Sequence, residues 1–278
     1  MIHSDWHIHS EFSYDAKNPL SEIIKGAGMR GYRGFGITDH LNYNDRKFKG
    51  DLLASAENVK KLQAECPEMI LGVELTPVEK PLFDYLARTG DRKGYVPPVQ
   101  DTPYGIELAA TKEELVSLGV RYAIGASHWR VDVDRYSVQS TKEELIKEWY
   151  RQQLWLAADE RVTILGHPWY NGRAVWYDDF SAIPRSMNEE LGAALKENGK
   201  CAECNPCMLC DSRQTEKFRY AYAEFLRELF EKGIRITYGS DNHDGYCGED
   251  NRTNCYPYLE AAGFKEGDFY DLAESDLW

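Results

Sequence analysis

Short apolar runs that end in a histidine or an acid recur along this chain, and that recurrence limits its possible folds more than any other feature. The endings are His7-Ile8-His9, Thr38-Asp39-His40, Ser127-His128-Trp129, Gly166-His167-Pro168 and Ser240-Asp241-Asn242-His243, with Glu74 closing a further run. Six of the seven histidines lie there. Runs of this length read as β-strands, so the sequence predicts strands over 6–9, 34–40, 69–76, 122–129, 162–167, 200–205 and 234–241.

Segments of helical period separate the strands. Thr111-Lys-Glu-Glu114, Thr141-Lys-Glu-Glu144 and Ser186-Met-Asn-Glu189 have the capping-box spacing, in which a hydroxyl and a carboxylate satisfy orphan backbone donors at a helix start. Leu145, Trp149, Gln152 and Leu156 keep to one stripe, as do Phe218, Tyr222, Phe225 and Phe230, and Pro19 suits the first turn of a helix ending near Gly28 or Gly31. Strand-then-helix alternation argues for a parallel sheet, open or closed.

The spread of polar endings chooses between the two. An open doubly wound sheet gathers its site at one switch point, whereas a closed barrel brings loops from every strand to one rim. With nearly every run ending in a ligand-type residue, an α/β barrel of about seven strands is expected, spanning residues 1–278 as one domain. Barrels of about 250 residues commonly form one domain. Two stretches interrupt the alternation as rim insertions: 79–110, irregular and carrying Pro97, Pro98 and Pro103, and 168–185, rich in aromatic residues.

The net charge of −13 disfavours a broad nucleic-acid grip, which needs a basic face. No apolar run reaches the roughly 18 residues of a membrane span, and the first residues lack the pattern of a signal peptide. A soluble, cytoplasmic protein is expected, and the odd count of seven cysteines fits reduced thiols better than a disulfide framework.

Residues i and i+2 of a strand share a face, so His7 and His9 can bind one cation, and so can Asp241 and His243. Imidazole and carboxylate donors suit zinc, manganese or iron. The ordered set His7-x-His9-Ser10, Ser13 with Asp15, Thr38-Asp39-His40, Gly72-Val73-Glu74, Ser127-His128, Gly166-His167-Pro168 and Ser240-Asp241-x-His243 resembles the PHP (polymerase and histidinol phosphatase) family, over residues 7 to 243. The resemblance implies a distorted TIM-like (β/α)7 barrel with three divalent transition-metal ions at the C-terminal rim. It puts His7, His9, Glu74 and Asp241 around one ion. Glu74 bridges to a second ion held by His128 and His167, and His40, His243 and Asp15 hold the third.

Such a centre can ionise a water for in-line attack on phosphorus. Glu74, Asp241 and His243 are the expected catalytic groups, the last two as candidates for moving a proton to the leaving alkoxide. Asp39, facing away from His40, and Glu203 with Asn205, sharing a strand face, are expected to support the site from behind the ligands. Arg130 and Arg173 are candidates for binding phosphate, Arg213 a third, and Trp129, Trp169, Tyr170, Trp176 and Tyr177 are placed to stack on a substrate. The expected activity is hydrolysis of a small phosphomonoester, as in histidinol phosphatases, with no nucleic-acid or membrane partner.

Three rivals stand beside it: phosphodiester hydrolysis, C–N hydrolysis of the amidohydrolase type, and a non-catalytic metal-binding barrel. No lysine stands at a strand-end ligand position, which weakens the amidohydrolase reading. Cys201, Cys204, Cys207 and Cys210 invite a thiolate metal site, but Cys201 and Cys204 fall on opposite faces of a strand and are read as structural. His3 lies outside the pattern.

Overall fold

The computed structural model describes residues 1–42, 48–89, 94–96, 105–128, 140–248 and 250–278. In chain order the elements are β1 (Ser4–Ile8), α1 (Leu20–Arg30), β2 (Gly34–Ile37), β3 (His40–Asn42), α2 (Phe48–Leu62), β4 (Met69–Thr76), β5 (Val78–Glu79), α3 (Lys80–Thr89), β6 (Ile106–Glu107), α4 (Lys112–Ser117), β7 (Tyr122–Gly125), α5 (Lys142–Ala158), β8 (Ile164–Leu165), α6 (Arg185–Glu197), β9 (Cys201–Cys204), α7 (Glu216–Glu231), β10 (Arg235–Tyr238) and α8 (Asn251–Ala261).

Seven strands run in the order β1-β2-β4-β7-β8-β9-β10, every neighbour parallel. A parallel bridge between Ile8 and Asn242 brings the two ends together. There Asp241 N donates to His7 O at 2.7 Å and His9 N to Asn242 O at 3.1 Å. The expected seven-strand α/β barrel is what forms, with the sheet edges joined rather than exposed.

The predicted strand 34–40 is split into β2 and β3, the latter pairing with the far half of β4. Side chains supply what the ladder lacks at the break. Thr38 Oγ1 accepts from Ile8 N at 3.1 Å, and Asp39 accepts from Ser10 N and Oγ at 2.6 and 2.7 Å. Asp39 also accepts from Ser55 Oγ at 2.7 Å, tying α2 to the rim.

Inside the barrel, away from the histidines, Trp6, Tyr122, Ile124, Ile164 and Cys201 form a packed cluster. Tyr122 lies across the lumen and donates to Trp6 O at 2.6 Å. That crossing dictates two glycines, because a Cβ on Gly36 would sit 1.6 Å from the Tyr122 hydroxyl and one on Gly72 2.6 Å from its ring. Gly36→Ala is therefore expected to destabilise the protein by at least about 1–3 kcal/mol, the range for an overpacked core, read as a lowered Tm with the metal content per folded chain retained.

Helices cover the barrel as the patterns predict. Thr111 and Thr141 form complete capping boxes at α4 and α5, and Leu145, Trp149, Gln152 and Leu156 are buried along α5. Gly31 closes α1 at φ 65°, a conformation that favours glycine. Ser186 departs from expectation. Pro184 occupies the N-cap of α6 without a side-chain cap, leaving Ser186 inside the first turn.

The described parts of segment 79–110 are more regular than its prolines suggest. β5 pairs antiparallel with β6, and α3 buries Leu82 and Leu86, an i, i+4 pair that forms one helical face. Pro97, Pro98 and Pro103 lie outside the described residues. The 168–185 segment packs inward, with Trp169, Trp176 and Tyr177 fully buried.

Candidate metal centre

Every ligand-type residue singled out from the sequence sits at the C-terminal end of the barrel, where chain segments from successive strands converge. His7 and His9 come from β1 and the residue just past it, His40 opens β3, Glu74 lies in β4, and His128, His167, Asp241 and His243 follow β7, β8 and β10. Asp15 stands on the segment after β1. Three groups form within ligand reach: His7 with His9 and Asp241, Glu74 with His128 and His167, and His9 with His40 and His243.

The distances are those of donors arranged to share cations. His7 Nε2 and His9 Nε2 are 3.1 Å apart, and both face Asp241 Oδ1, at 3.4 and 3.1 Å. Glu74 turns Oε2 to that pair, 3.6 Å from His7 and 3.5 Å from His9, and Oε1 to His128 and His167, 3.3 and 3.2 Å away. His40 Nε2 and His243 Nε2 face each other at 3.5 Å, with Asp15 Oδ2 3.3 and 3.6 Å from them.

Four of the imidazoles have their second nitrogen committed elsewhere. His7 Nδ1 donates to Glu203 Oε1 at 2.7 Å, His128 Nδ1 to Thr76 Oγ1 at 3.0 Å and His243 Nδ1 to Asp241 O at 2.8 Å, while His9 Nδ1 shares a hydrogen bond of 3.3 Å with Ser13 Oγ. In its neutral form a ring that donates through Nδ1 has its lone pair on Nε2, and all four Nε2 atoms point into the cluster. Thr76 donates in turn to Asn42 Oδ1 at 2.5 Å, which fixes the direction of the His128 bond.

Charge is concentrated here. Burial pushes the Glu74 carboxyl up, but His40, His128 and His7 outweigh it and hold Glu74 well below the carboxylate range. Burial opposes protonation of His7 and His40 too. Glu203, Asp241 and Glu74 nevertheless raise His7 well above its ordinary value, and Glu74 with Asp15 lifts His40 to about 10. His9 and His128, depressed chiefly by burial, fall to about 3. Against the pull of burial, His40 holds Asp15 down at about 2.

Several atoms of the cluster make no hydrogen bond. Glu74 Oε2 and His40 Nδ1 lie 2.6 Å apart without the alignment of one, and both, like His167 Nδ1, are buried without a hydrogen-bond partner. Buried polar atoms are ordinarily satisfied. A set of buried, converging imidazole and carboxylate donors fits divalent transition-metal ions, which would satisfy Glu74 Oε2.

The support behind the ligands centres on Glu203. Besides His7 it accepts from His167 N at 2.6 Å and Asn205 Nδ2 at 3.1 Å, and Asn205 reaches Asp241 Oδ2 at 3.3 Å. Close packing makes Gly239 obligatory, since a Cβ there would lie 2.0 Å from Glu203 Oε1 and 2.5 Å from His7 Cβ. His167 and Asp241 take positive φ, 26° and 51°, a strained backbone that surrounding contacts must hold. Thr76 and Asn42 escaped the sequence reading. Thr76 lies two residues after Glu74 on one strand, and that shared face was the signal for it.

At the rim, Tyr170 packs edge-on to His167 with ring centroids 4.9 Å apart, and Tyr14, 53 % exposed, lies 5.3 Å from His40. Trp169, Trp176 and Tyr177 are sealed in the core and not available to stack on a substrate. The exposed Arg173 anchors its backbone to Asn171 Oδ1 at 2.8 Å. Arg213 binds Asp211 and the Gly172 carbonyl over the Tyr177 ring. Arg130 and Trp129 lie outside the described residues.

Cys201 belongs to the barrel interior and Cys204 to the outer core, on opposite faces of β9, and no thiol joins a three-ligand group among the described residues. His3 pairs with Glu266 at 2.5 Å, outside the cluster.

The sequence pattern of the PHP domain matches residues 5–207. A Thermotoga maritima protein named a probable histidinol-phosphatase is 25 % identical over 243 residues, 86 % of this chain and 84 % of the relative. The fold matches a histidinol phosphate phosphatase from Lactococcus lactis subsp. lactis, solved with zinc, L-histidinol and phosphate, at TM-score 0.67 and 20 % identity over 94 % of each chain. It also matches a Listeria monocytogenes chain named as a candidate histidinol phosphatase, at TM-score 0.60 and 13 % identity over 86 % of this chain and 95 % of the other. At these identities the two solved structures speak for the fold. Among the described residues no helix is long and apolar enough to cross a membrane.

Proposed function

The chain belongs to the PHP domain family, and from that premise we propose that it is a metal-dependent phosphatase of the histidinol-phosphatase type, hydrolysing a small phosphomonoester. The observation that carries this reading is the convergence of three imidazoles with committed Nδ1 atoms on the buried Glu74 carboxylate, His7 and His9 at one oxygen and His128 at the other.

Three divalent ions are proposed, zinc, manganese or iron. The first would be held by His7, His9, Glu74 and Asp241, the second by Glu74, His128 and His167, and the third by Asp15, His40 and His243. When bound, such ions acidify a water and neutralise phosphoryl oxygens.

The protein's own groups do the rest. Glu74 links two of the ligand sets, while Glu203 and Asn205 fix the orientation of His7 and Asp241, so little reorganisation is left for the reaction itself. Asp39 holds the Ser10 turn beside His9. Asp241 and His243 keep 18 and 31 % of their side chains exposed, where His7, His9, Glu74 and His167 are buried, and we assign to them the transfer of a proton to a departing alkoxide oxygen. Arg173 is a candidate for the phosphate, as is Arg130 from the sequence, and Arg213 is held at the same rim by Asp211.

The test is phosphate release from a panel of phosphomonoesters, L-histidinol phosphate included, by protein loaded separately with Zn²⁺, Mn²⁺ or Fe²⁺. Release with about three bound ions per chain is expected. Full loading with no release from any monoester, and turnover of a diester or an amide instead, would transfer the assignment to those reactions.

A further inference from the structure

A second group of reactive side chains lies beside the metal centre and plays no part in it. Cys210 ends the turn that follows β9, Cys255 lies in the middle of α8, and their Sγ atoms are 3.6 Å apart. Cys255 is fully buried, whereas Cys210 is partly exposed. Of the two residues, Cys210 is the one with surface open to solvent. Cys255 stands behind it at contact distance, as a resolving thiol does in redox-responsive sites.

The segment between them and the site is short and well tied. Cys210 N donates to Pro206 O at 2.7 Å and Gln214 Nε2 to Cys207 O at 2.7 Å, while Cys207 N donates to Oδ1 of Asn205, the residue that bonds Glu203 and Asp241. Residues 206–214 also carry Arg213, joined to the Gly172 carbonyl across the rim. Whatever fixes Cys210 to α8 therefore stiffens the piece of rim attached to Asn205.

We propose that Cys210 and Cys255 are an oxidation site, forming an intramolecular disulfide under peroxide that latches residues 206–214 onto α8. In the first step the Cys210 sulfur attacks one peroxide oxygen, the O–O bond breaks, and sulfenic acid and one water result. In the second, the Cys255 sulfur attacks the sulfenic sulfur, the S–O bond breaks, and the hydroxyl leaves with the Cys255 proton as water. Two thiols and one hydrogen peroxide become one disulfide and two waters. The sulfurs must close from 3.6 Å to the roughly 2.05 Å of a bond, a movement that side-chain rotation and a small shift of the turn can supply. Cys255 is held protonated, well above the ordinary thiol range, by its hydrogen bond to Cys210 and by burial, so Cys210 makes the first attack.

The experiment needs no turnover and so stands or falls apart from the phosphatase assignment. Full-length zinc-loaded protein is treated with hydrogen peroxide, alkylated with iodoacetamide, digested and mapped by mass spectrometry, with amide exchange followed in parallel. The expected result is loss of two alkylatable thiols, a peptide pair joined through Cys210 and Cys255, slower exchange over 206–214, and full reversal by dithiothreitol. Cys210→Ser should abolish the cross-link and the slowing while leaving Cys66 and Cys247 alkylated as before. Because Cys210 is partly exposed, this variant tests the site even if Cys255→Ser fails to fold. Cys210 alkylated as fully after peroxide as before, a cross-link through another cysteine, or unchanged exchange over 206–214 in the cross-linked protein would each overturn the proposal.

Discussion

Glu74→Gln is expected to lower kcat by about 10³-fold or more and to reduce the bound metal from the proposed three ions per chain to one or none. The substitution keeps the shape of the side chain and removes only its charge. Glu74 is fully buried, and its two oxygens lie within 3.6 Å of His7, His9, His128 and His167, with His40 nearer still. Without that charge two ligand sets lose their common anion. Lewis-acid assistance is worth several kcal/mol, and at about 1.36 kcal/mol per decade the rate loss follows.

Cys204→Ala is the control. Cys204 is equally buried but faces the outer core, so it should cost about 1 kcal/mol of stability and leave metal content and turnover per folded chain unchanged. Elemental analysis and steady-state kinetics on both variants decide the matter. Equal losses from the two would mean that the metal centre lies elsewhere.

The legibility of this site in the sequence has a chemical cause. Few side chains can hold a transition metal away from thiolates, so His7, His9, Asp15, His40, Glu74, His128, His167, Asp241 and His243 stand out by type, and the structure brings all nine into one cluster. The strands were legible for a similar reason, since apolar runs such as 69–76 are buried on both faces, but β7 and β10 stop at Gly125 and Tyr238, short of the expected 129 and 241. Groups that act through ordinary hydrogen bonds were not. Thr76 and Asn42 are common residue types whose role appears only when β3 is seen beside β4. The break at Thr38–Asp39 was hidden because side-chain hydrogen bonds, not a glycine or proline, replace the ladder there. The aromatic residues at 169, 176 and 177 could have faced solvent or core, and only the folding of their segment back onto α5 and α6 decides, as when Trp169 Nε1 donates to Asn188. In α3, flanking prolines and glycines concealed a two-residue apolar face.

Acidification is expected to strip the metals, and alkali to destabilise the ion-free chain. In the absence of ions His40 holds its proton up to pH about 10, and His7 is also raised. A cation needs the lone pair that the proton occupies, so at neutral pH each of these two ligand sets must release a proton as it loads. Affinity then changes by about tenfold per pH unit for each proton released, or about 1.4 kcal/mol. Between pH 8 and pH 6 the loss is about 100-fold per set. Calorimetric titration with Zn²⁺ in two buffers of different ionisation enthalpy should show protons entering the buffer, and identical heats in both would contradict it. The stability of the ion-free chain runs the other way. A histidine raised in the folded state stabilises it fully below the unfolded value near 6.5 and loses that contribution as pH climbs through the folded one. Glu74 and Asp15, both lowered, stay ionised throughout, and the lowered His9 and His128 offset only part of the loss, close to the unfolded value near 6.5. The Tm of chelator-treated protein should therefore fall between pH 6.5 and about 10, while that of the loaded protein, with cations in place of those protons, should not follow it down.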